Sequence, residues 1–292
     1  MKRVDSNEKR SDGILQSTFC HIPSISRAFE HKLWEAGIHH WDHASGIPTD
    51  WTSVAKRKVL SEYAGRSKLE LQNLNVSFFA DNLPSNEHWR LFPEFRNHIA
   101  YLDIETTGLS ASWDEITTIA LYDGKDIRWY VNGDNLRQFK NDIKDYKLLV
   151  TYNGKCFDVP FLRTYFKINL DVAHIDLRYV LKGLGYAGGL KGCERKLGID
   201  RGELKDVDGF FAVLLWKEYR TKGNTKALET LLAYNIEDVI NLEQLLVIAY
   251  NKKLAETPFA RSHQLEIPSP PGIPFSADIA TIRQIKRRYS WF

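Results

Sequence analysis

One stretch of this chain limits its fold more than any other. Ile99-Ala100-Tyr101-Leu102-Asp103-Ile104 is a short apolar run ending in acids, and Glu105 completes a pair of carboxylates one residue apart. A run of this kind with no polar face is a strand buried on both sides, so the sheet that holds it needs covering layers. Residues two apart on a strand share a face, so Asp103 and Glu105 project into one place. Like charges at a buried strand end repel unless a cation binds between them, so the pair points to a metal held by oxygen ligands. Thr106-Thr107-Gly108 then lets the backbone turn sharply and leaves room for a substrate backbone.

The elements around this strand set the fold class. Ile116–Tyr122 and Ile127–Val131 are β-rich, and the Asp123-Gly124 between them is a hairpin signal, so the first three strands form an antiparallel meander. A polar helix near Leu136–Asp145 precedes the buried strand Leu148–Tyr152. Helical spacing returns over Phe157–Phe166, and Ala173–Asp176 is a last short strand. The remainder to about Ala249 is helical, interrupted at Gly183–Gly189 and Gly198–Gly202, with a long final helix after Gly223-Asn224. This order predicts an α/β fold, a ribonuclease H-like mixed sheet flanked by helices, with a small N-terminal helical region. The expected divisions are a disordered stretch over 1–12, a helical region over 13–95, the ribonuclease H-like domain over 96–250, and an extended, proline-containing basic tail over 251–292. Within the helical region, helical spacing runs from Ile22 to Ile38, and further helices are expected from about Trp51 to Glu62 and Ser67 to Phe79.

Composition narrows the setting rather than the chemistry. With 43% hydrophobic and 26% charged residues, the chain has ordinary globular usage and no apolar run long enough to cross a bilayer, so no membrane association is expected. Met1 through Gly13 lacks an apolar core of the kind a secretory signal needs, and a cytoplasmic location is expected. Cys20, Cys156 and Cys193 are odd in number and lack CxxC spacing, which argues against a disulfide framework or zinc ribbon and for buried or partly buried thiols. A net charge of +3 permits a polyanionic partner without demanding one. Residues 252–292 hold seven Lys and Arg against three Asp and Glu, an excess of four that accounts for the chain's formal positive charge.

Two further segments supply carboxylates. Asp158 follows Tyr152-Asn153-Gly154-Lys155-Cys156-Phe157 and opens a helix, from which it can point back across the sheet end. Tyr234 and Asp238 lie at i and i+4 on the last long helix, so phenol and carboxylate occupy one face. Taken in order, Asp103-Ile104-Glu105-Thr106-Thr107-Gly108, the segment ending at Asp158, and Tyr234-Asn235-Ile236-Glu237-Asp238 resemble the three motifs of the DEDD 3′→5′ exonuclease superfamily. The closest likeness is to its YprB-type ribonuclease H-like domain, over about residues 97–249. Tyr four residues before the last Asp is the DEDDy arrangement; the DEDDh pattern has His where Ala233 stands.

The resemblance implies hydrolysis by a two-metal mechanism, with Mg²⁺ or Mn²⁺ ions about 4 Å apart at the scissile phosphate. It implies that Asp103 bridges the ions, that Glu105 and Asp238 hold the one activating water, and that Asp158 acts on the other. Tyr234, a phenol with an ordinary pKa near ~10, orients the water rather than deprotonating it. The activity expected is therefore that of a metal-dependent 3′→5′ exonuclease on single-stranded DNA or RNA. Two alternatives are a catalytically silent nucleic-acid-binding scaffold and a structure-specific endonuclease.

Several residues carry open readings. Thr106 and Thr107 stand where a substrate backbone would pass. Asn153 either caps the following helix or touches substrate. Lys155 either contacts a phosphate or is solvated. His174 and Asp176 read as a structural pair. Lys191, Arg195 and Lys196 form either a basic face for nucleic acid or a solvated one. In the tail, Lys286-Arg287-Arg288 with Tyr289, Trp291 and Phe292 suits either base stacking or simple anchoring. Ile22 through Ile38 is similar to a helix-hairpin-helix element, but Ser24 and Ser26 stand where that element has glycines, so a phosphate-binding and a purely structural hairpin remain equal readings.

Overall fold

The computed structural model describes residues 13–289; the expected disorder over 1–12 and the aromatic residues Trp291 and Phe292 lie outside that range. The chain separates into two units, one comprising Met1–Phe95 with Asn251–Leu265, the other Arg96–Tyr250 with Glu266–Phe292.

The first unit is helical: α1 (Arg27–Glu35), α2 (Val54–Gln72), α3 (Val76–Asn82) and the single turn α4 (Phe92–Phe95). Ser26, Ser53 and Asn75 cap the first three by accepting from backbone N–H groups at Phe29, Lys56 and Phe78. The two helices expected near 51–62 and 67–79 are replaced by the continuous α2. Gly65 lies inside it, with open space where a Cβ would stand, and the break falls instead at Leu74, whose φ is 52°, just before the Asn75 cap. Trp34 and Trp41 are buried and donate their indole N–H to the carbonyls of Ser17 and Thr18 at 2.8 and 2.7 Å. In the hairpin-like element Ser24 has φ 66° and Ser26 is spent as the α1 cap. Phe259 packs edge-on against Trp34 with ring centroids 5.4 Å apart, so part of the expected tail belongs to this core.

In the second unit β1 (Ile99–Thr106) is the central strand of a five-stranded mixed sheet in the order β3-β2-β1-β4-β5. β2 (Ile116–Tyr122) and β3 (Ile127–Val131) complete the antiparallel meander, while β4 (Leu148–Thr151) and β5 (Ala173–Asp176) run parallel to β1. This is the ribonuclease H-like sheet the sequence predicts. Between β3 and β4 the expected polar helix reduces to the four-residue α5 (Phe139–Asp142) between single 3₁₀ turns. α6 (Asp158–Phe166) links β4 to β5, and α7 (Leu177–Gly183), α8 (Gly189–Leu197), α9 (Gly209–Lys222) and α10 (Thr225–Leu254) follow.

The alternation along β1 sorts its residues. Ala100, Leu102 and Ile104 enter a core shared with Leu149, Phe161 and Leu162, which turns Asp103 and Glu105 toward the opposite face. On that face Asn235 of α10 reaches Asp103, placing α10 over the acid pair.

The tail departs from expectation. Residues 255–278 form neither helix nor strand, but α11 (Ile279–Tyr289) is a helix rather than extended chain. Asp278 accepts from the Thr281 N–H at 2.8 Å at its start, Ile282 and Ile285 are buried in one cluster with Phe211, Leu215 and Leu231, and Arg288 pairs with Glu218 at 2.6 Å. An amphipathic turn with a good cap finds an apolar surface, and that outweighs the extended bias of the prolines before it. Among the described residues no helix is long and apolar enough to cross a membrane.

Candidate metal centre

The carboxylates converge from three elements. One ligand oxygen each of Asp103, Glu105 and Asp238 lie within 4.8 Å of one another. A register shift between Glu105 and Thr106 ends the regular β1–β2 pairing just beyond the acid pair. Asn235 donates to Asp103 Oδ2 at 2.7 Å and accepts from the Thr118 hydroxyl at 3.0 Å, so β2 steadies α10 and α10 steadies the aspartate. Asp158 is seated differently. β1 runs on past Tyr101, its last residue paired with β4 (opposite Val150), and the N–H of Ile104 donates to Asp158 Oδ1 at 3.2 Å. The structure thus gathers three acids into one group and fixes the fourth to the backbone of the same strand.

These acids are crowded and mostly dry. Glu105, Asp158 and Asp238 are 8, 3 and 4% exposed. Burial, followed by the charges of Asp238 and Asp158, pushes the Asp103 and Glu105 carboxyls well above their usual range. Burial also pushes Asp158 up to about 7, against the opposing pull of backbone N–H groups. Carboxylates crowded together and buried in this way are stabilised by a divalent cation, and an all-oxygen, all-carboxylate donor set suits a hard ion such as Mg²⁺ or Mn²⁺. The residues fit such an ion.

Two cations face the cluster, and the sequence reading missed one of them. Arg201, 6% exposed, lies just after the Gly198 break and pairs with Asp238 through one guanidinium nitrogen. Its other edge grips Glu194 of α8 in a fork at 2.5 and 2.7 Å, and Asn241 donates to the same carboxylate at 3.0 Å. Lys191 holds its Nζ 4.8 Å from the centroid of the Tyr234 ring, buried and with no hydrogen-bond partner among the described residues. Burial and then Arg201 lower the Lys191 pKa. Tyr234 is itself buried, and burial with the charges of Asp238 and Glu105 raises its phenol pKa well above the ordinary value. Asn235 was legible as a buried amide in an apolar helix. Arg201 offered only its position in a glycine-flanked break.

The remaining expected residues scatter. Thr106 donates to the Gly108 carbonyl at 2.6 Å, and Thr107 donates to Asp114 at 3.2 Å while accepting from the Glu115 N–H at 2.9 Å. Both threonines shape the loop after β1. Asn153, at φ 69°, does not cap α6 with its side chain; its Oδ1 accepts from Arg178. The N–H groups of Asn153 and Lys155 donate to Asp176 at 2.8 and 3.0 Å, so that aspartate organises the turn ahead of Asp158. Lys155 is half-buried, which lowers its pKa against the pull of Asp176. His174 pairs with the Thr151 hydroxyl at 2.8 Å. The basic face expected of Lys191, Arg195 and Lys196 divides: Lys191 turns toward Tyr234, Arg195 is exposed, and Lys196 donates to the Ala187 carbonyl at 2.9 Å. Cys20 and Cys193 are buried thiols, whereas Cys156 is exposed, contrary to expectation.

Comparison with known proteins adds a family. The chain resembles, at 17% identity and a TM-score of 0.42, the family B DNA polymerase from the hyperthermophilic archaeon Pyrobaculum calidifontis, over 57% of this chain and 27% of the polymerase. It therefore spans about a quarter of that protein's length. No curated protein matches it. A family profile described as the RNase_H superfamily matches residues 100–250, which run from the acid-bearing strand through the helix that carries Asp238 and make up more than half of the sequence. On this match the chain belongs to the RNase_H superfamily.

Proposed function

We propose that this protein is a metal-dependent nuclease of the DEDDy type that hydrolyses single-stranded DNA or RNA from the 3′ end. The observation that carries the reading is the convergence of Asp103, Glu105 and Asp238 from a central strand and a long helix onto one point. When bound there, a pair of Mg²⁺ or Mn²⁺ ions supplies charge neutralisation at the phosphate and lowers the pKa of water. The chain supplies the frame. Asn235 and Thr118 hold Asp103, the Ile104 N–H holds Asp158, and burial keeps competing solvent from the cluster. Tyr234 keeps its proton at neutral pH and acts as a hydrogen-bond donor that orients a water or phosphate oxygen, not as a base. Lys191 brings a buried ammonium over the Tyr234 ring, beside the acids. Thr106 and Thr107 set the loop along which a strand would enter, Lys155 and Asn153 stand in the turn ahead of Asp158, and Arg195 offers an exposed charge to the substrate backbone.

The test is incubation of purified protein with Mn²⁺ or Mg²⁺ and 5′-labelled single-stranded DNA and RNA, beside Asp103→Ala. A ladder shortening from the 3′ end, absent from the variant, is the expected result. Internal cuts would instead identify an endonuclease, and no metal-dependent loss of either substrate would sink both nuclease readings.

A further inference from the structure

The geometry points to Arg201 as a resident counter-cation of the carboxylate cluster, a positioning residue that holds Asp238 until a divalent ion takes its place. The inference rests on the reading of Asp103, Glu105 and Asp238 as metal ligands. One nitrogen of the Arg201 guanidinium lies directly on Asp238 Oδ1, an oxygen of one of the three acids that converge. The same nitrogen is 3.9 Å from Glu237. A divalent ion held by Asp238 would stand within a few ångströms of this fixed positive charge, so ion and arginine oppose each other at the carboxylate. Arg201 does not drift away when Asp238 is taken, because Glu194 grips its opposite edge through two hydrogen bonds and is itself 1% exposed and held by Asn241. Glu194 thus sets how strongly Arg201 leans on Asp238. An ion that claims Asp238 leaves that guanidinium nitrogen anchored beside the cluster, able to donate to a phosphate oxygen delivered there.

Opposite signs at the two residues are the signature of this arrangement, and a merely structural role would not produce them. Chelator-treated full-length protein is titrated with Mn²⁺ alone, and bound ion is counted from the loss of the free-ion paramagnetic resonance signal. Arg201→Gln should bind Mn²⁺ about tenfold more tightly than the parent, because the competitor is gone. Glu194→Gln should bind it several-fold more weakly, because Arg201 then has Asp238 as its main partner. In an Asp238→Asn background both effects should vanish. Equal or weaker binding by Arg201→Gln overturns the inference and leaves the metal site standing. Should that variant fail to fold, unchanged or tighter binding by Glu194→Gln overturns it equally. No Mn²⁺ binding by the parent or by either variant overturns the metal site itself, and the inference with it.

Discussion

The two units each bury a charged cluster, and the clusters are built on opposite principles. In the helical unit Arg90 and Glu30, both 0% exposed, pair at 2.9 Å; Arg90 also donates to Glu87 at 2.8 Å, and Arg27 completes Glu87 at 2.9 Å. Glu30 further accepts from the N–H groups of Phe19 and Cys20, closing the turn ahead of α1. Two acids meet two cations, and the cluster closes on itself. In the sheet unit Asp103, Glu105, Asp158, Glu194, Glu237 and Asp238 cluster together, and among the described residues the cations beside them are Arg201 and Lys191. The balanced cluster acts as a bolt between segments. The unbalanced one costs folding energy until something positive arrives, which is how a binding site differs from a structural ion pair.

The comparison breaks most readily at the acids. Asp103→Asn should lower metal-dependent hydrolysis by on the order of 10³-fold or more. The same change relieves like-charge repulsion, so the metal-free variant should melt no lower than the parent; a marked loss of melting temperature would mean that Asp103 is structural, like Glu30. The matching change in the other unit, Glu30→Ala, strands Arg90 without its main partner and should cost about 3–5 kcal/mol in denaturant unfolding. Metal affinity of the folded fraction should be unchanged.

pH sharpens the contrast. Asp158 and Glu237 have folded-state pKa values of about 7, above the usual carboxylate range, chiefly through burial. The folded protein therefore holds protons that the unfolded chain releases, and the stability from these groups, full in acid, is lost as pH rises toward 7. Metal-free protein should melt at a lower temperature at pH 8 than at pH 5.5, and saturating Mn²⁺ should remove most of the difference at pH 8. A flat metal-free profile would mean that the cluster is compensated after all. The smallest effect is expected at Tyr234, where Phe keeps the packing under Lys191 but removes the donor. Turnover should fall about tenfold while Mn²⁺ affinity holds.

Much of the sheet unit was legible because its signals are local. The bounds of β2, β3 and β5 follow from apolar runs and turn residues, and the acid pair on β1 follows from the period of a strand. What was not legible depends on tertiary contact. Arg201 belongs to the site only because a 3₁₀ segment brings it under α10, and no periodicity announces a partner so far away in sequence. α2 runs through the expected break at Gly65 and stops only at Leu74, and α11 formed because Ile282 and Ile285 met a surface that their own segment does not encode. Asn153 kept its turn but gave its side chain to Arg178 instead of to α6.

Whether the crowded carboxylates are a metal site is tested, without reference to any substrate, by diffraction from crystals grown with Mn²⁺ and measured at the manganese absorption edge. Anomalous density bounded by Asp103, Glu105 and Asp238 is the expected result. Density elsewhere with none between these three, at an ion concentration that saturates binding in solution, would contradict it.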